Sequence, residues 1–338
     1  MSPPPSRRAI VIRAHGGPEV LQVETVAAPE PGPDEVRLHV THVALNHLDV
    51  WVRRGVPGHD FHLPRVPGSD VVGEAEGRRW ALHPSWGCGT CPVCLAGRQN
   101  RCARFRIRGE SADGGCATEV VVPRWQLLPV PDALTSAEAA ALPLTLLTAW
   151  HMLVRRAEAR RGERVLVQAG GSGVGVMAVQ IARMLGCEVH ATASSLDKRA
   201  RLAALGATAW SYDQVGVRGG LRDVDVVVDS VGAETWNAST RALAWGGRLV
   251  TCGATTGPEV ALNLRALFFK QQTLLGSTMG TSTDMLDAWA AVGAGAIRPV
   301  IHAVLPMGRI GEGHALLERR EVFGKVVLEQ DSEGAAPA

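Results

Sequence analysis

Hydrophobic and polar positions alternate along the first third of the chain in short runs that turn residues separate. Three such runs cover 35–40, 70–75 and 117–122, with glycine, proline or aspartate close to their ends. A period of two over five or six residues is typical of strands that bury one face. The segment from Ile10 to about Val122 is therefore predicted to form an antiparallel, barrel-like β domain.

The pattern changes at Arg164, where apolar runs begin to alternate with helical stretches. This order predicts a parallel sheet with helices on both faces, which is the doubly wound α/β class. The prediction rests on six apolar runs, at 165–169, 188–192, 209–212, 224–229, 248–252 and 273–276.

Helices are predicted between these two regions. Thr135 and Glu138 have the spacing of a capping box, and a second helix is predicted around 148–156. After about Ile297 the pattern returns to short strands and one helix, which would complete the first domain. The predicted division is a β domain at 1–125 with 297–338, linking helices at 126–160 and a parallel-sheet domain at 161–296.

Composition and charge narrow the choice of partner and compartment. The 338 residues carry a net charge of +2, so nucleic acid is not an expected partner. The most apolar long stretch, 133–154, contains Glu138 and Pro143 and is expected to be a buried helix, so no membrane partner is expected either. The first residues lack the apolar core of a secretory signal, and a cytoplasmic location is expected.

Four of the seven cysteines lie close together in a glycine-rich loop. Cys88, Cys91, Cys94 and Cys102 have the spacing C-x2-C-x2-C-x7-C. Four thiolates suit a tetrahedral zinc ion and leave no open position for water, so the predicted zinc is structural. Two disulfides and four free thiols are the alternatives, and a reducing compartment disfavours the first.

A glycine-rich turn follows the first strand of the second domain and opens a helix. Its residues are Gly171, Ser172, Gly173, Val174 and Gly175. Glycines there let the backbone approach a pyrophosphate, and the start of the helix stabilises its charge. The turn therefore predicts a dinucleotide, although a tight turn needed only for packing is the alternative.

The residues after the second strand of this domain separate NADP from NAD. An NAD-preferring site places an acidic residue there, whereas this chain has Ser194 and Ser195 with Lys198 and Arg199 close behind. These residues favour the 2′-phosphate of NADP. Asp197 could reach a ribose by another route, so NAD stays open.

Four segments taken together resemble one superfamily, and they lie at 44–51, 67–73, 146–150 and 323–327. With them, the chain is similar to the medium-chain dehydrogenase/reductase superfamily, the group that includes the zinc-containing alcohol dehydrogenases. This resemblance implies a GroES-like catalytic domain followed by a Rossmann domain.

The chain departs from the zinc alcohol dehydrogenases at the ligands of the catalytic metal. Those enzymes carry a cysteine where this chain has Asn46, a His-Glu pair where it has Ser69-Asp70, and a second cysteine where it has Leu144. Leu48 also replaces the hydroxyl that begins their proton relay. The same replacements resemble the quinone oxidoreductase branch, so we expect a structural zinc without a catalytic one.

The resemblance implies hydride transfer from a nicotinamide to a quinone or an activated C=C bond. Asn46, Thr145 and Thr148 are the candidate donors to the substrate oxygen, and Asp49 is a candidate for orienting neighbouring groups. Asn46 could instead bind only backbone, and the two threonines could cap a helix.

Cofactor contacts are likewise implied at positions outside the glycine-rich turn. His47 matches a position that can approach the pyrophosphate, and Tyr212, the only tyrosine, could cover the adenosine. The other implied contacts are Thr148, Ser230, Gly253, Ser277, Phe323 and Lys325.

Two other functions remain as alternatives. One is an alcohol or ketone dehydrogenase of the same superfamily, and the other is a dinucleotide-binding protein without enzymatic activity. His59 and His62 form an H-x-x-H that is expected to be solvated loop rather than a metal site. A homodimer is expected through the sheet edge at Thr273–Ser277.

Overall fold

The structure is a computed structural model of the chain, in which residues 5–330 are described; the parts of the predicted ranges at 1–4 and 331–338 lie outside the described residues. The strands are β1 (Ser6–Ile12), β2 (Leu21–Ala27), β3 (Glu35–Ala44), β4 (Asp70–Ala75), β5 (Arg78–Leu82), β6 (Ser85–Trp86), β7 (Arg106–Ile107), β8 (Glu119–Pro123), β9 (Leu127–Pro129), β10 (Arg164–Val167), β11 (Glu188–Thr192), β12 (Thr208–Trp210), β13 (Val224–Asp229), β14 (Leu243–Thr251), β15 (Thr273–Gly276), β16 (Ile301–Pro306) and β17 (Lys325–Glu329). The α-helices are α1 (His47–Arg54), α2 (Pro92–Leu95), α3 (Ser136–Ala140), α4 (Pro143–Trp150), α5 (Gly173–Met184), α6 (Leu196–Ala204), α7 (Ala233–Ala242), α8 (Leu264–Phe269), α9 (Ser282–Gly293) and α10 (Ile310–Glu318).

The first compact unit consists of residues 5–144 and 299–330. Its main sheet has the order β16-β17-β3-β4-β5-β9, and β8 pairs with the other end of β3. All of these pairs are antiparallel except β16 with β17. Val36, Leu38 and Val40, which alternate along β3, are buried in the core of this unit. The late strands β16 and β17 therefore complete a sheet that the early strands begin.

The second unit, Thr145–Arg298, is a parallel six-stranded sheet with the order β12-β11-β10-β13-β14-β15. All six strands predicted for this region are present, and every pair is parallel. The strand order reverses beside β10, the strand that precedes the glycine-rich turn. The α/β fold class expected from the sequence, a GroES-like β domain with a Rossmann domain, is confirmed.

Two predicted boundaries differ from the structure. The helix expected around 148–156 begins earlier, at Pro143, and continues as a π-helix at His151–Arg156. Proline fits the first turn of a helix, where its missing N–H costs nothing. The strand expected from Ala117 begins only at Glu119.

The predicted capping box is present, since Thr135 Oγ1 accepts from Glu138 N at 3.2 Å and Thr135 N donates to the Glu138 carboxylate at 2.8 Å. None of the helices within residues 5–330 is both long and apolar enough to cross a membrane.

Candidate active site and metal centre

Three neighbouring strands of the first unit bring their ends together at one point. β3 ends at Ala44, which lies opposite Asp70 at the start of β4 and opposite Val327 in β17. Leu45 N, just beyond β3, donates to Val326 O at 2.9 Å. Because β3 runs antiparallel to both neighbours, the residue after its end meets the first residues of β4 and β17. Asn46, Asp70 and Lys325 are thereby placed side by side.

The Lys325 ammonium lies between the other two side chains. Its Nζ donates to Asn46 Oδ1 at 2.6 Å and to Asp70 Oδ2 at 2.9 Å. Asn46 Nδ2 also donates to Asp70 Oδ2 at 2.9 Å, and Leu144 N donates to Asp70 Oδ1 at 2.6 Å. We call Asn46, Asp70 and Lys325 the lysine cluster. All three residues are buried, and the ammonium and the carboxylate neutralise each other.

The amide of Asn46 is directed into the protein. Besides its contact with Asp70, Nδ2 lies 3.4 Å from Ala44 O, and Oδ1 accepts from Lys325. Binding to backbone was the alternative interpretation of Asn46. It accounts for only the longest of these contacts, the one with Ala44 O. The predicted contact of Asn46 with substrate stays a prediction.

Asp49 ties the start of α1 to the loop before β4. One carboxylate oxygen accepts from Asn46 N at 2.7 Å and the other from Gly68 N at 2.9 Å. Burial raises the pKa of Asp49 to about 6, although these hydrogen bonds and Lys325 act in the opposite direction. Asp49 therefore holds the backbone on both sides of the lysine cluster.

His47 is the first residue of α1 and is partly buried. Burial lowers its pKa, and the charges of Arg320 and Lys325 lower it further against the opposite effect of Glu318. This environment therefore favours the neutral form of the ring.

The four cysteines of the loop surround one point. Their sulfurs all lie within 4.8 Å of one another, with Cys88 Sγ 3.9 Å from Cys94 Sγ and Cys91 Sγ 3.7 Å from Cys102 Sγ. Zinc–sulfur bonds of about 2.3 Å in a tetrahedron place the sulfurs about 3.8 Å apart, so the arrangement fits zinc. A Cβ at Gly87 would lie 2.6 Å from Cys94 Sγ, which explains the glycine there.

Backbone N–H groups favour the thiolate form of two of these sulfurs, while burial raises the pKa of Cys94. The Thr90 and Cys91 N–H groups lower the pKa of the Cys88 thiol to about 5, and those of Cys88 and Arg104 lower the pKa of Cys102. Within residues 5–330, these four cysteines form the one group of three or more His, Cys, Asp or Glu side chains arranged to hold a metal.

The glycine-rich turn of the second unit joins β10 to α5. Ser172 is the N-cap, and its Oγ accepts from Gly175 N at 3.0 Å. A Cβ at Gly175 would lie 2.3 Å from Ala169 O, and one at Gly170 would lie 2.8 Å from Ala191 Cβ. The turn thus folds tightly against the sheet and presents the first N–H groups of α5, which the helix leaves without acceptors. A dinucleotide pyrophosphate fits this cradle.

The loop after β11 carries the residues expected to choose between the cofactors. Ser195 is the N-cap of α6 and accepts from Lys198 N at 3.2 Å, while Ser194 is exposed. Arg199 Nη1 donates to Ala193 O at 3.1 Å and to Ser194 O at 3.2 Å. A guanidinium is therefore held on this loop.

Other predicted cofactor residues of this unit follow the carboxyl ends of the parallel strands. Ser230 comes directly after β13, Gly253 after β14 and Ser277 after β15, while Tyr212 follows β12 and is exposed. Ser277 Oγ is buried without a hydrogen-bond partner in the described part of the chain. Strand ends at one edge of a parallel sheet are where such folds bind ligands.

Thr145 and Thr148 lie inside α4 one turn apart, so neither caps it. Both are buried, and Thr148 Oγ1 lies 3.7 Å from Met279 Sδ. Phe323, in the first unit, is buried just before β17.

Sequence reasoning missed two buried networks. The first is the ion pair of Asp70 with Lys325. The available signal was an aspartate and a lysine that each begin an otherwise apolar run, at 70–73 and 325–328. The second lies in the second unit, where Asp284 accepts from His151 at 2.7 Å and from Arg155 at 2.6 Å. Burial raises the pKa of Asp284, but these hydrogen bonds outweigh it and hold that pKa below its ordinary value.

Comparison with known proteins gives consistent matches over both units. Residues 32–132 match the alcohol dehydrogenase GroES-like domain, and residues 173–293 match the zinc-binding dehydrogenase family. A quinone oxidoreductase from Pseudomonas aeruginosa is 31% identical over 95% of this chain and 99% of its own length. An acryloyl-coenzyme A reductase from Sulfurisphaera tokodaii is 28% identical over the same shares. The crystal structure of an NAD-dependent alcohol dehydrogenase is 44% identical with a TM-score of 0.90, covering 95% of this chain and 99% of that one.

Proposed function

Because the chain belongs to the medium-chain dehydrogenase/reductase superfamily of oxidoreductases, we propose that it reduces a quinone or a conjugated C=C bond with NAD(P)H and without a catalytic zinc. The observation that carries this proposal is the chemistry at the three positions where zinc alcohol dehydrogenases bind their catalytic metal. These positions hold an amide at Asn46, a hydroxyl with a carboxylate at Ser69-Asp70 and an aliphatic side chain at Leu144. Catalytic zinc needs three nitrogen, sulfur or carboxylate ligands, and only Asp70 is one.

Substrates of this class do not require a Lewis acid. When bound, the reduced nicotinamide supplies a hydride, and the electron-poor carbon of the conjugated system accepts it. Negative charge then builds up on the substrate oxygen, where hydrogen-bond donors can stabilise it. The relatives include a quinone oxidoreductase and an acryloyl-coenzyme A reductase, whose names describe these two substrate types.

Thr148 is our first choice for the donor to that oxygen. It is a buried hydroxyl on α4 that can donate a hydrogen bond, and its Oγ1 lies 3.7 Å from Met279 Sδ. Thr145 is the second choice, since it lies one turn earlier on the same helix. Asn46 is a weaker candidate because its amide already serves Asp70 and Lys325. Asp49 holds backbone and is assigned no proton transfer.

Elemental analysis and turnover on the purified protein test this proposal together. The acceptors are a quinone, an enone, an enoyl thioester and a simple ketone, each assayed with NADPH and with NADH. We expect one zinc per chain and turnover of the quinone or of the conjugated acceptors. Two zinc ions per chain, with activity on the ketone alone and its loss on chelation, would contradict the proposal. Tight binding of the dinucleotide without turnover of any acceptor would favour the non-enzymatic alternative.

An alcohol dehydrogenase is the second candidate function. The 44% identity to an NAD-dependent alcohol dehydrogenase favours it. The same assay separates the two, because this candidate requires alcohol oxidation with NAD. If it also uses a metal, the metal must come through ligands other than the three replaced ones.

NADP is our choice of cofactor over NAD. The loop after β11 has no acidic residue from 193 to 195, and the guanidinium of Arg199 is held on it. A charge-assisted hydrogen bond to the 2′-phosphate is worth about 1.5 to 3 kcal/mol. Arg199→Ala is therefore expected to raise the KM for NADPH about tenfold or more and to leave that for NADH unchanged. Arg218→Ala, at an exposed position of the same unit, is the control.

We also propose that the protein is a homodimer. β15 ends its sheet with one edge unpaired among the described strands. Nearby, Trp245 and Phe269 are exposed with ring centroids 5.5 Å apart, and Phe268 is 68% exposed. Light scattering should give twice the chain mass for the wild type and the chain mass for Phe268→Asp. Leu286→Asp, also at an exposed apolar position, should leave the dimer intact.

The cytoplasm is the proposed location. The seven cysteines are all free in the structure, and four of them are arranged for a metal rather than for disulfides. Such thiols persist in a reducing compartment. Fractionation of cells that produce the protein tests this location.

A further inference from the structure

The lysine cluster contains a cation of its own at the place where a catalytic metal would have to bind. Lys325 Nζ lies 2.6 Å from Asn46 Oδ1 and 2.9 Å from Asp70 Oδ2. Asn46 stands at the first ligand position of the zinc alcohol dehydrogenases, and Asp70 stands where they have the acidic member of the His-Glu pair. The backbone N–H of Leu144, at the third ligand position, donates to the same carboxylate. The ammonium therefore lies among residues of these segments, while Ser69, at the histidine of the pair, donates its hydroxyl to Arg108 O at 2.6 Å.

We propose that Lys325 is a built-in replacement for the catalytic metal and that its ammonium keeps divalent metals out of this site. Loss of the ligands alone would leave a site that a few substitutions could restore. An ammonium at the centre goes further, because a metal bound by residues 46 and 70 would lie next to a like charge in a buried environment. Metal entry thus requires removal of Lys325 as well as new ligands.

Charge balance supports this role for Lys325. Lys325 is 3% exposed and Asp70 is fully buried, so each charge needs the other. A zinc ion with its positive charge of two would leave the site with an excess of positive charge unless the ammonium were lost. The backbone N–H of Leu144 and the amide of Asn46 satisfy the remaining oxygen positions of Asp70.

The choice of lysine is itself informative in this chain. Three of its 35 basic residues are lysines, at positions 198, 270 and 325, and the rest are arginines. A guanidinium is planar and needs a broad set of acceptors, whereas an ammonium is a compact point charge. A compact cation suits a buried site in which one nitrogen contacts two acceptors, Asn46 Oδ1 and Asp70 Oδ2.

Restoring the metal ligands with and without the lysine tests the proposal. The ligand-restored variant is Asn46→Cys/Ser69→His/Leu144→Cys, and it is compared with the same variant carrying Lys325→Met in addition. Lys270→Met in the ligand-restored variant is the matched control, because Lys270 Nζ donates to a backbone carbonyl, Leu243 O, far along the chain from the cluster. Zinc per chain is measured by elemental analysis after gel filtration, and folding is checked by circular dichroism.

We expect one zinc per chain in the wild type, in the ligand-restored variant and in the Lys270→Met control. A second zinc is expected only when Lys325 is replaced. A second zinc in the ligand-restored variant that retains Lys325 would overturn the proposal. Failure of a folded Lys325→Met variant to take up a second zinc would overturn it too. Metal content is measured without substrate, so failure of the reductase assignment leaves this result unaffected.

Variants with fewer substitutions test the same proposal if the ligand-restored variants do not fold. Asn46→Cys/Ser69→His and the same variant with Lys325→Met each provide a thiol, an imidazole and the Asp70 carboxylate, which is the number of ligands that a catalytic metal needs. Both are titrated with cobalt(II), and cobalt–thiolate absorption is compared with that of the wild type, which reports the structural site alone. Additional absorption in the variant that lacks Lys325 and none in the variant that retains it supports the proposal. Equal absorption in the two variants, or none beyond the wild type in either, contradicts it.

Discussion

Two places in the first unit gather polar side chains around a single point, and they differ in the source of the positive charge at that point. The cysteine loop presents four sulfurs within 4.8 Å of one another, an arrangement suited to a cation from outside. The lysine cluster presents an amide and a carboxylate and holds its cation on the chain itself. A divalent metal suits the first place and is unsuited to the second. Whether such a site binds a metal ion therefore depends on whether a side chain of the protein already supplies the positive charge.

If the cysteine loop depends on an external cation, removing its ligands should have the largest effect on the molecule. Cys91→Ser/Cys102→Ser removes two sulfurs that lie 3.7 Å apart. We expect zinc content to fall from one per chain to near zero and the free energy of unfolding to fall by about 5 kcal/mol or more. Elemental analysis and urea denaturation measure the two quantities. Cys187→Ser, outside the loop, should change neither; full stability of the zinc-free double variant would contradict a structural role.

If the lysine cluster carries its own cation, deleting that cation should leave a buried charge without a partner. Lys325→Met strands the carboxylate of Asp70, which is fully buried. We expect a loss of about 3 to 5 kcal/mol in the free energy of unfolding. Asp70→Asn combined with Lys325→Met removes both charges and should recover most of that loss. Equal destabilisation of the single and double variants would show that packing, rather than charge, is what Lys325 contributes.

The carboxyl group of Asp49, next to the lysine cluster, predicts a pH dependence of stability. Burial raises the pKa of Asp49 from 3.8 to about 6 in the folded protein, so the folded state binds the proton more tightly than the unfolded chain does. Stability from this group is fully present below its unfolded pKa and is lost as the pH rises towards and through about 6.

Asp49→Asn lacks this titration, so the two proteins can be compared by urea denaturation across that window. Between pH 4 and pH 7, the free energy of unfolding of the variant should rise by about 2 to 3 kcal/mol relative to that of the wild type. A difference that is constant with pH would mean that Asp49 has an ordinary pKa.

The smallest expected effect concerns a charge outside the ring of sulfurs. The thiolate of Cys88 raises the pKa of Arg104, whose Nη2 also donates to Thr90 Oγ1 at 3.3 Å. Arg104→Ala removes a positive charge that supports the metal-bound sulfurs from outside. We expect zinc release to a chelator to become faster by less than about tenfold, with circular dichroism unchanged. Slower release than in the wild type would mean that the guanidinium competes with the zinc ion.

Most of the fold followed from local pattern. The six parallel strands were predictable because each is a continuous apolar run, and the start of α3 because a capping box is a short-range signal. The start of α4 was missed because Pro143 looks like an interruption but stands at the first turn of a helix. The strand predicted from Ala117 begins later because its first residues pair elsewhere, with Ala9 opposite Ala117 in an isolated bridge.

The candidate site shows the same difference between features that local sequence predicts and features that it does not. The spacing of the four cysteines along 15 residues was enough to predict a shared metal, because a short loop can bring them together in few ways. The partner of Lys325 could not be read in this way, since Asn46 lies 279 residues away and Asp70 lies 255 residues away. The sequence predicted that the catalytic metal ligands are missing, and it said nothing about what fills their place.

The amino-acid sequence alone determined the two fold classes, the cysteine metal site and the dinucleotide turn, because each depends on residues that are neighbours along the chain. The tertiary structure decided that a lysine from the last strand lies between Asn46 and Asp70, because the antiparallel pairing of β3 with β4 and β17 sets which strand ends meet. Register between distant strands is a property of the whole sheet. For that reason the cation of the lysine cluster became visible only when the strands were in place.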